Sequence, residues 1–181
     1  MGLFRFAVGV ALVFASLPAL AQKSGTAGGK GRIVYFANPE TMEKAEVAFS
    51  PKVAWAYADD SGPAGKRIHV LLAESEAPVV ELSMARDRAN ARRKLCAEKK
   101  APFVDLELND AGEVELLHQC GAGHFGTEMV STLNGLDSVV VALEVFNAKR
   151  VKGTLRGGEG WCGDGKYCEQ TEDYSFDAPL N

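Results

Sequence analysis

The sequence predicts a mainly β protein: a single β-sandwich-like domain of about nine strands with one helix at its edge, or alternatively a partly open β-barrel. Short runs rich in β-branched and aromatic residues recur along the chain, and Gly, Pro, Asn and Asp separate them. One longer run, rich in Ala, Arg and Lys, has no Gly or Pro and predicts the helix. Strands separated by tight turns are typical of antiparallel β folds.

The strand at residues 53–57 shows the alternation expected of a buried face. Large residues alternate with alanine here, which places Val53, Trp55 and Tyr57 on one face. Further runs predicted as strands are 32–36, 46–49, 67–73, 128–132, 138–146, 150–155 and 174–180.

Two neighbouring runs, Phe103–Leu108 and Glu113–His118, predict a β-hairpin. The sequence Asn-Asp-Ala-Gly between them has the composition of a tight turn. In the first run apolar residues alternate with Asp105 and Glu107. We therefore expect one buried face and one wet face, with both carboxylates on the wet face.

The helix is predicted from Met84 to about Lys99. Ser83 has the residue type of an N-cap, and Pro102 follows just beyond the end. Its apolar face is thin, so we expect it to sit at a sheet edge.

The first 21 residues have the pattern of a signal peptide, with a short apolar run followed by small residues at Ala19 and Ala21. Cleavage near Ala21 predicts a periplasmic or secreted protein with no membrane span after cleavage. Residues 22–31 are polar and glycine-rich, which predicts a flexible leader. A single disulfide-stapled domain is then expected over 32–181.

Four cysteines in an exported chain predict disulfide bonds. Three pairings are possible. The glycine-rich loop between Cys162 and Cys168 favours the local pair, which leaves Cys96 to pair with Cys120. A CxxC motif and zinc-ligand spacing are both absent from the sequence, so neither a redox site nor a metal or other cofactor is predicted.

The sequence predicts no catalytic residues. His69 lies inside an apolar strand and is expected to be a packed or hydrogen-bonded histidine. His118 and His124 flank a short loop and would need a third ligand to hold a metal. The nucleophile motifs GxSxG and SxxK are absent from the sequence.

Two features predict contacts with a partner. Trp161 and Tyr167 flank a glycine loop, and aromatic residues on a stapled loop are common contact anchors. Cations outnumber acids between residues 84 and 100; we call these cations the basic ridge, and its predicted contacts are Arg86, Arg93 and Lys100. The alternative for the ridge is a solvated helix face.

The order of the strands resembles that of small uncharacterised exported bacterial β-domain proteins. The elements that carry the resemblance are an AWxY strand at 54–57, an IHVLLAE strand at 68–74, an RVKGTL strand at 150–155 and a YSFDAPL ending at 174–180. The resemblance implies fold and export, and it implies no activity.

These features together favour a non-catalytic binding protein, with inhibition of another envelope protein as one form of that function. The expected partner is a protein or an anionic envelope polymer. The net charge of −4 argues against nucleic acid. An envelope hydrolase with an unrecognised site and a small-ligand carrier are the alternatives, and the oligomeric state is not predicted.

Overall fold

Antiparallel strands make up most of the protein, as predicted. The computed structural model describes residues 23–181 apart from 39, 42, 61–65, 99–101, 130–138, 158, 162–166 and 170–172. Twelve strands and two helices lie in the described part of the chain. They are β1 (Gly25–Asn38), β2 (Glu43–Phe49), β3 (Val53–Asp59), β4 (Arg67–Ala73), α1 (Ala77–Met84), α2 (Arg88–Ala97), β5 (Phe103–Leu108), β6 (Val114–Gly121), β7 (His124–Met129), β8 (Val139–Asn147), β9 (Arg150–Gly157), β10 (Glu159–Trp161), β11 (Tyr167–Glu169) and β12 (Asp173–Pro179).

Ten of these strands form one sheet, which curls into a half-barrel. The strand order is β7-β6-β5-β4-β3-β1-β12-β9-β8, and β2 pairs with the second half of β1. The remaining two strands, β10 and β11, pair only with each other among the described residues. The architecture is therefore the open-barrel alternative, in which one twisted sheet curls around its own core instead of packing against a second sheet.

The segment predicted as a flexible leader differs from that prediction, because Thr26 to Lys30 pair with β12 and Gly25 pairs with Ala54 of β3. A Cβ atom on Gly25 would lie 1.8 Å from the carbonyl oxygen of Asp177. Gly29 has a φ of +107°, and a Cβ there would lie 1.9 Å from the carbonyl oxygen of Asp173. The glycines thus allow two backbones to approach closely, and their abundance reflects crowding as much as flexibility.

The helix predicted from Met84 to about Lys99 corresponds to α2, which begins at Arg88, and the structure has a further helix, α1, that the sequence analysis did not predict. Ala85 has an extended backbone and ends α1, and the Asp87 side chain caps α2 by accepting a hydrogen bond from the Asn90 N–H at 2.9 Å. The prediction that Ser83 caps a helix beginning at Met84 was wrong, because Met84 is the last residue of α1 and Asp87 is the N-cap of the helix that follows. The helices also cover a face of the sheet and do not lie at its edge.

The sheet buries both of its faces. Ala54 and Ala56 point to an inner core that draws on strands from across the sheet, and so fills the curl. Trp55 and Tyr57 point to an outer core between the sheet and the helices, as the alternation predicted. The inner core is completed by side chains from the β1–β2 hairpin, including Ile33 and Phe49.

Gly121 tests how tightly that hairpin packs on the sheet. A Cβ at Gly121 would lie 2.7 Å from Cδ1 of Tyr35 and 3.1 Å from Cγ2 of Ile33, whereas a Cβ at Gly126 would meet nothing within 4 Å. We expect Gly121→Ala to lower the free energy of unfolding by about 1–3 kcal/mol through overpacking. Gly126→Ala is the control, with a change within about 0.5 kcal/mol. Urea unfolding measures both, and equal stabilities would show that the hairpin is loosely packed.

Candidate functional site

A row of ionisable side chains lies on the outer face of the sheet, beneath α2. Cross-strand register places Tyr57 opposite His69 and His69 opposite Glu107. One step along the strands, Asp105 lies opposite His118. Because side chains alternate between the two faces of a strand, these residues share one face and form a contiguous cluster.

The centre of the cluster is an ion pair between Arg92 of α2 and Asp105 of β5. Arg92 Nη1 donates to Asp105 Oδ2, and both side chains are buried, Asp105 completely. His69 Nδ1 lies 2.8 Å from Arg92 Nη1 and 3.3 Å from Asp105 Oδ2. The charged helix residue and two polar strand residues therefore meet at one point in the outer core.

Electrostatics keeps this ion pair charged. Burial alone would raise the pKa of Asp105, but the nearby His69 and Arg92 lower the pKa by more, so it falls well below its usual range. For Arg92, burial acts to lower the pKa, but the interactions with Asp105, Tyr57 and Glu107 together outweigh burial, so the pKa is raised. Each charge therefore offsets part of the cost of burying the other.

Aromatic rings surround the pair. Tyr57 stacks on His69 with ring centroids 4.8 Å apart, and its hydroxyl lies 3.4 Å from Arg92 Nη1. The guanidinium of Arg88 lies 4.6 Å from the centroid of the Tyr57 ring and 5.9 Å from that of Trp55. Burial, reinforced by the Asp105 charge, raises the pKa of Tyr57, so the phenol stays neutral.

A second group of charges flanks the first. His118 Nε2 lies 3.3 Å from Glu107 Oε2. Arg67 Nε lies 3.4 Å from Glu107 Oε1, and Arg67 Nη2 lies 2.7 Å from Glu115 Oε2. The hydrogen bond from His118 lowers the pKa of Glu107 below its usual value. The carboxylates predicted for a wet face are thus covered or paired, and Asp105 is a clear correction to that prediction.

Three residues of α2 that contact the sheet lie on one face of the helix. Arg88, Arg92 and Cys96 follow each other at intervals of four residues, which is the spacing of one helix face. Cys96 is disulfide-bonded to Cys120 of β6, with their Cα atoms 5.6 Å apart, and this predicted pair is confirmed. The helix is therefore fastened to the sheet at two positions one turn apart.

The basic ridge is smaller than the sequence predicted. Arg92 is buried and Arg88 is half-buried, so neither is on the exposed surface. Arg86 and Arg93 are exposed as expected, and Lys100 lies outside the described residues. A count of charge along a helix does not distinguish its inner face from its outer face, and here part of the charge neutralises Asp105.

The two histidines considered for a metal site lie on opposite faces of the sheet. His118 faces α2, whereas His124 lies opposite Gly121, an odd number of residues away from His118. His124 is exposed and stacks on Tyr35, with ring centroids 4.7 Å apart. Among the described residues, no three His, Cys, Asp or Glu side chains are placed to hold a metal ion.

The predicted aromatic contacts fall in the small two-stranded sheet. The backbone register places Trp161 opposite Tyr167 and Gly160 opposite Cys168. Cys162 and the side chains of Trp161 and Tyr167 lie outside what the structure describes, so the Cys162–Cys168 bond stays a prediction.

A surface groove of about 300 Å³ is lined by residues from β1, β9, β12 and the turn before β9, and it includes none of the residues of the charge cluster. The ion pair between Arg150 and Asp177 forms part of its wall, and Gly25, Thr26, Lys149 and Pro179 complete it. Arg150 donates to both carboxylate oxygens of Asp177, which leaves that pair self-satisfied.

No known family model matches this chain, and comparison with curated proteins and with solved structures finds no match. None of the helices in the described part of the chain has the length and hydropathy needed to cross a membrane. The resemblance drawn from the strand order remains a prediction.

The Arg92–Asp105 pair can be tested by a double-mutant cycle with Arg92→Met and Asp105→Leu. Each single substitution leaves an uncompensated buried charge, and we expect each to lower the free energy of unfolding by about 3–5 kcal/mol. The double substitution removes both charges, so its cost should fall well below the sum. Urea unfolding at neutral pH measures the cycle.

Lys94→Met serves as the control, because Lys94 is on the same helix and its side chain is 76% exposed. Its cost should be below about 1 kcal/mol. Additive single effects in the cycle would mean that the two charges do not stabilise each other.

Proposed function

We propose that this chain is an exported, non-catalytic binding protein of the periplasm or extracellular space, and that it acts by inhibiting another envelope protein. The observation that carries the proposal is the burial of the ionisable cluster: Asp105, His69 and Arg92 are buried beneath α2. Strands β10 and β11 form a separate two-stranded sheet among the described residues. Asp105 is completely buried and His69 nearly so, which argues against contact between this cluster and a substrate.

Export is supported by the signal-peptide pattern of residues 1–21, which lie outside the described residues. The Cys96–Cys120 disulfide is consistent with an oxidising compartment, where such bonds persist. Since α2 is fastened at two positions, the surface that it presents is preorganised, and preorganisation lowers the entropic cost of binding.

The β10–β11 hairpin is the proposed main contact. Trp161 and Tyr167 occupy one register position at the end of this hairpin, next to the loop at 162–166. Tryptophan and tyrosine are enriched among the residues that dominate binding energy, since they supply a large apolar area with few rotatable bonds. A hairpin outside the main sheet can enter a cleft of the partner without disturbing the half-barrel.

The proposal predicts a specific loss on truncation at the hairpin. Partner proteins are first cross-linked to the wild-type protein in envelope extract and identified by mass spectrometry, and one is then purified for titration. We expect Trp161→Ala to weaken its Kd at least about fivefold, or about 1 kcal/mol, because a contact anchor is lost. Val140→Ala is the matched control, since Val140 is an apolar residue 48% exposed on β8. Equal affinities for the two variants would remove the hairpin from the interface.

The exposed cations are proposed to steer an acidic partner. Reversing Arg86, Arg93 and Lys100 to Glu should slow association and flatten its dependence on salt, because steering acts through long-range charge. The control reverses Lys30, Lys52 and Lys149, which are exposed elsewhere on the protein and give the same change in net charge. Stopped-flow mixing at several ionic strengths measures both. If the two triple variants associate equally fast, only net charge matters and the ridge is a solvated face.

A further inference from the structure

Helix α2 contributes little apolar surface to the fold that it covers. Leu95 and Cys96 are its buried apolar residues, and Ala91 is half-buried. The rest of its inner stripe is Arg88 and Arg92. Hydrophobic burial alone therefore gives this helix a weak hold on the sheet.

The charges beneath α2 oppose its docking as well as support it. Removing Arg92 and Asp105 from water carries a desolvation cost that their mutual attraction does not fully offset unless all their polar atoms are satisfied. Arg92 Nε and Asp105 Oδ1 are buried without a hydrogen-bond partner among the described residues, and so is Trp55 Nε1. These atoms lose water when α2 docks and gain no hydrogen bond in return.

The disulfide bond attaches α2 to the sheet, which the apolar contacts of the helix do only weakly. Cys96 and Cys120 are 24 positions apart in sequence, and the bond between them keeps α2 near β6 whether or not its other contacts form. Both cysteines are buried, at 0% and 1% exposed, so a reductant can reach the sulfurs only after α2 has lifted. Opening of the helix and loss of the bond are thereby linked.

We propose that α2 is a redox-controlled clasp, docked on the sheet in the disulfide form and released from it in the dithiol form while the half-barrel stays folded. An external dithiol reductant breaks the Cys96–Cys120 bond: each sulfur gains one electron and one proton, and the two thiols of the reductant are oxidised to a disulfide. Release uncovers an aromatic and ionisable face that includes Trp55, Tyr57 and His69. This inference goes beyond the proposed function, and it does not depend on any partner.

The half-barrel has its own sources of stability. The inner core lies on the opposite face of the sheet and includes no residue of α1 or α2. Strands β3, β4 and β5 each pair with a neighbour on both sides. Loss of α2 therefore leaves their backbone hydrogen bonds and one buried face intact.

Hydrogen–deuterium exchange of the mature chain, resolved by peptide, tests the clasp in the variant Cys96→Ala/Cys120→Ala. We expect amides of residues 88–97 to exchange about 100-fold faster than in the wild type, while those of residues 53–59 and 67–73 change less than about fivefold. Adding Arg92→Met and Asp105→Leu to this variant removes the cost of burying the two charges. The exchange of the α2 amides should then slow again by at least about tenfold.

Wild-type protein treated with dithiothreitol gives an independent readout, since reduction should require the same opening that exposes α2 amides. Where α2 opens and closes faster than the reductant reacts, the rate of reduction should vary with the exchange rate of the α2 amides. It should not vary with the exchange rate of the sheet amides. The proposal is overturned if α2 keeps its protection without the cysteines, since the bond would then be unnecessary. It is overturned equally if the sheet loses protection together with α2, or if the charge-free variant regains none.

Discussion

The buried ion pair between Arg92 and Asp105 is the contact on which the arrangement of the outer layer depends. It fixes α2 over β5, and it brings His69 and Tyr57 into one polar cluster. Arg86, Arg93 and Lys94 stay exposed on the surface. A charge at this depth tolerates only one arrangement, because any displacement of the helix would leave both ions unpaired. The pair therefore determines the position of the helix, although it adds little to the free energy of unfolding.

Around that pair the molecule has two cores with different chemistry. The inner core is apolar and fills the curl of the half-barrel, so it accounts for the shape of the sheet. The outer core mixes aromatic rings, a disulfide and charges, and it is covered by two short helices. A sheet that buries both faces needs such a cover, since its outer face would otherwise expose Trp55, Leu71 and Phe103 to water.

Several sequence predictions hold because they depend on local patterns. The alternation at residues 53–57 correctly placed Trp55 and Tyr57 on one face, and the hairpin at residues 103–118 has its turn at the predicted position. The pairing of Cys96 with Cys120 was favoured by elimination, once the glycine loop was given to Cys162 and Cys168. The same reasoning failed for Asp105, because alternation tells which residues share a face but not what covers that face. The one available signal was the spacing of Arg88, Arg92 and Cys96, which puts two cations on the helix face that bears the disulfide.

By itself, the sequence determined the mainly β architecture, the face on which the large aromatic residues lie, and the export signature, because these follow from periodicity and composition over short windows. Only the tertiary structure decided that one curled sheet replaces a sandwich, that the glycine-rich segment pairs with β12, and that Arg92 lies inside. Each of these depends on contacts between residues distant in sequence: Gly25 meets Asp177, and His69 meets both Arg92 and Asp105. The composition of a segment gives its number of charged residues and glycines. Which groups those residues contact is determined only by the folded chain.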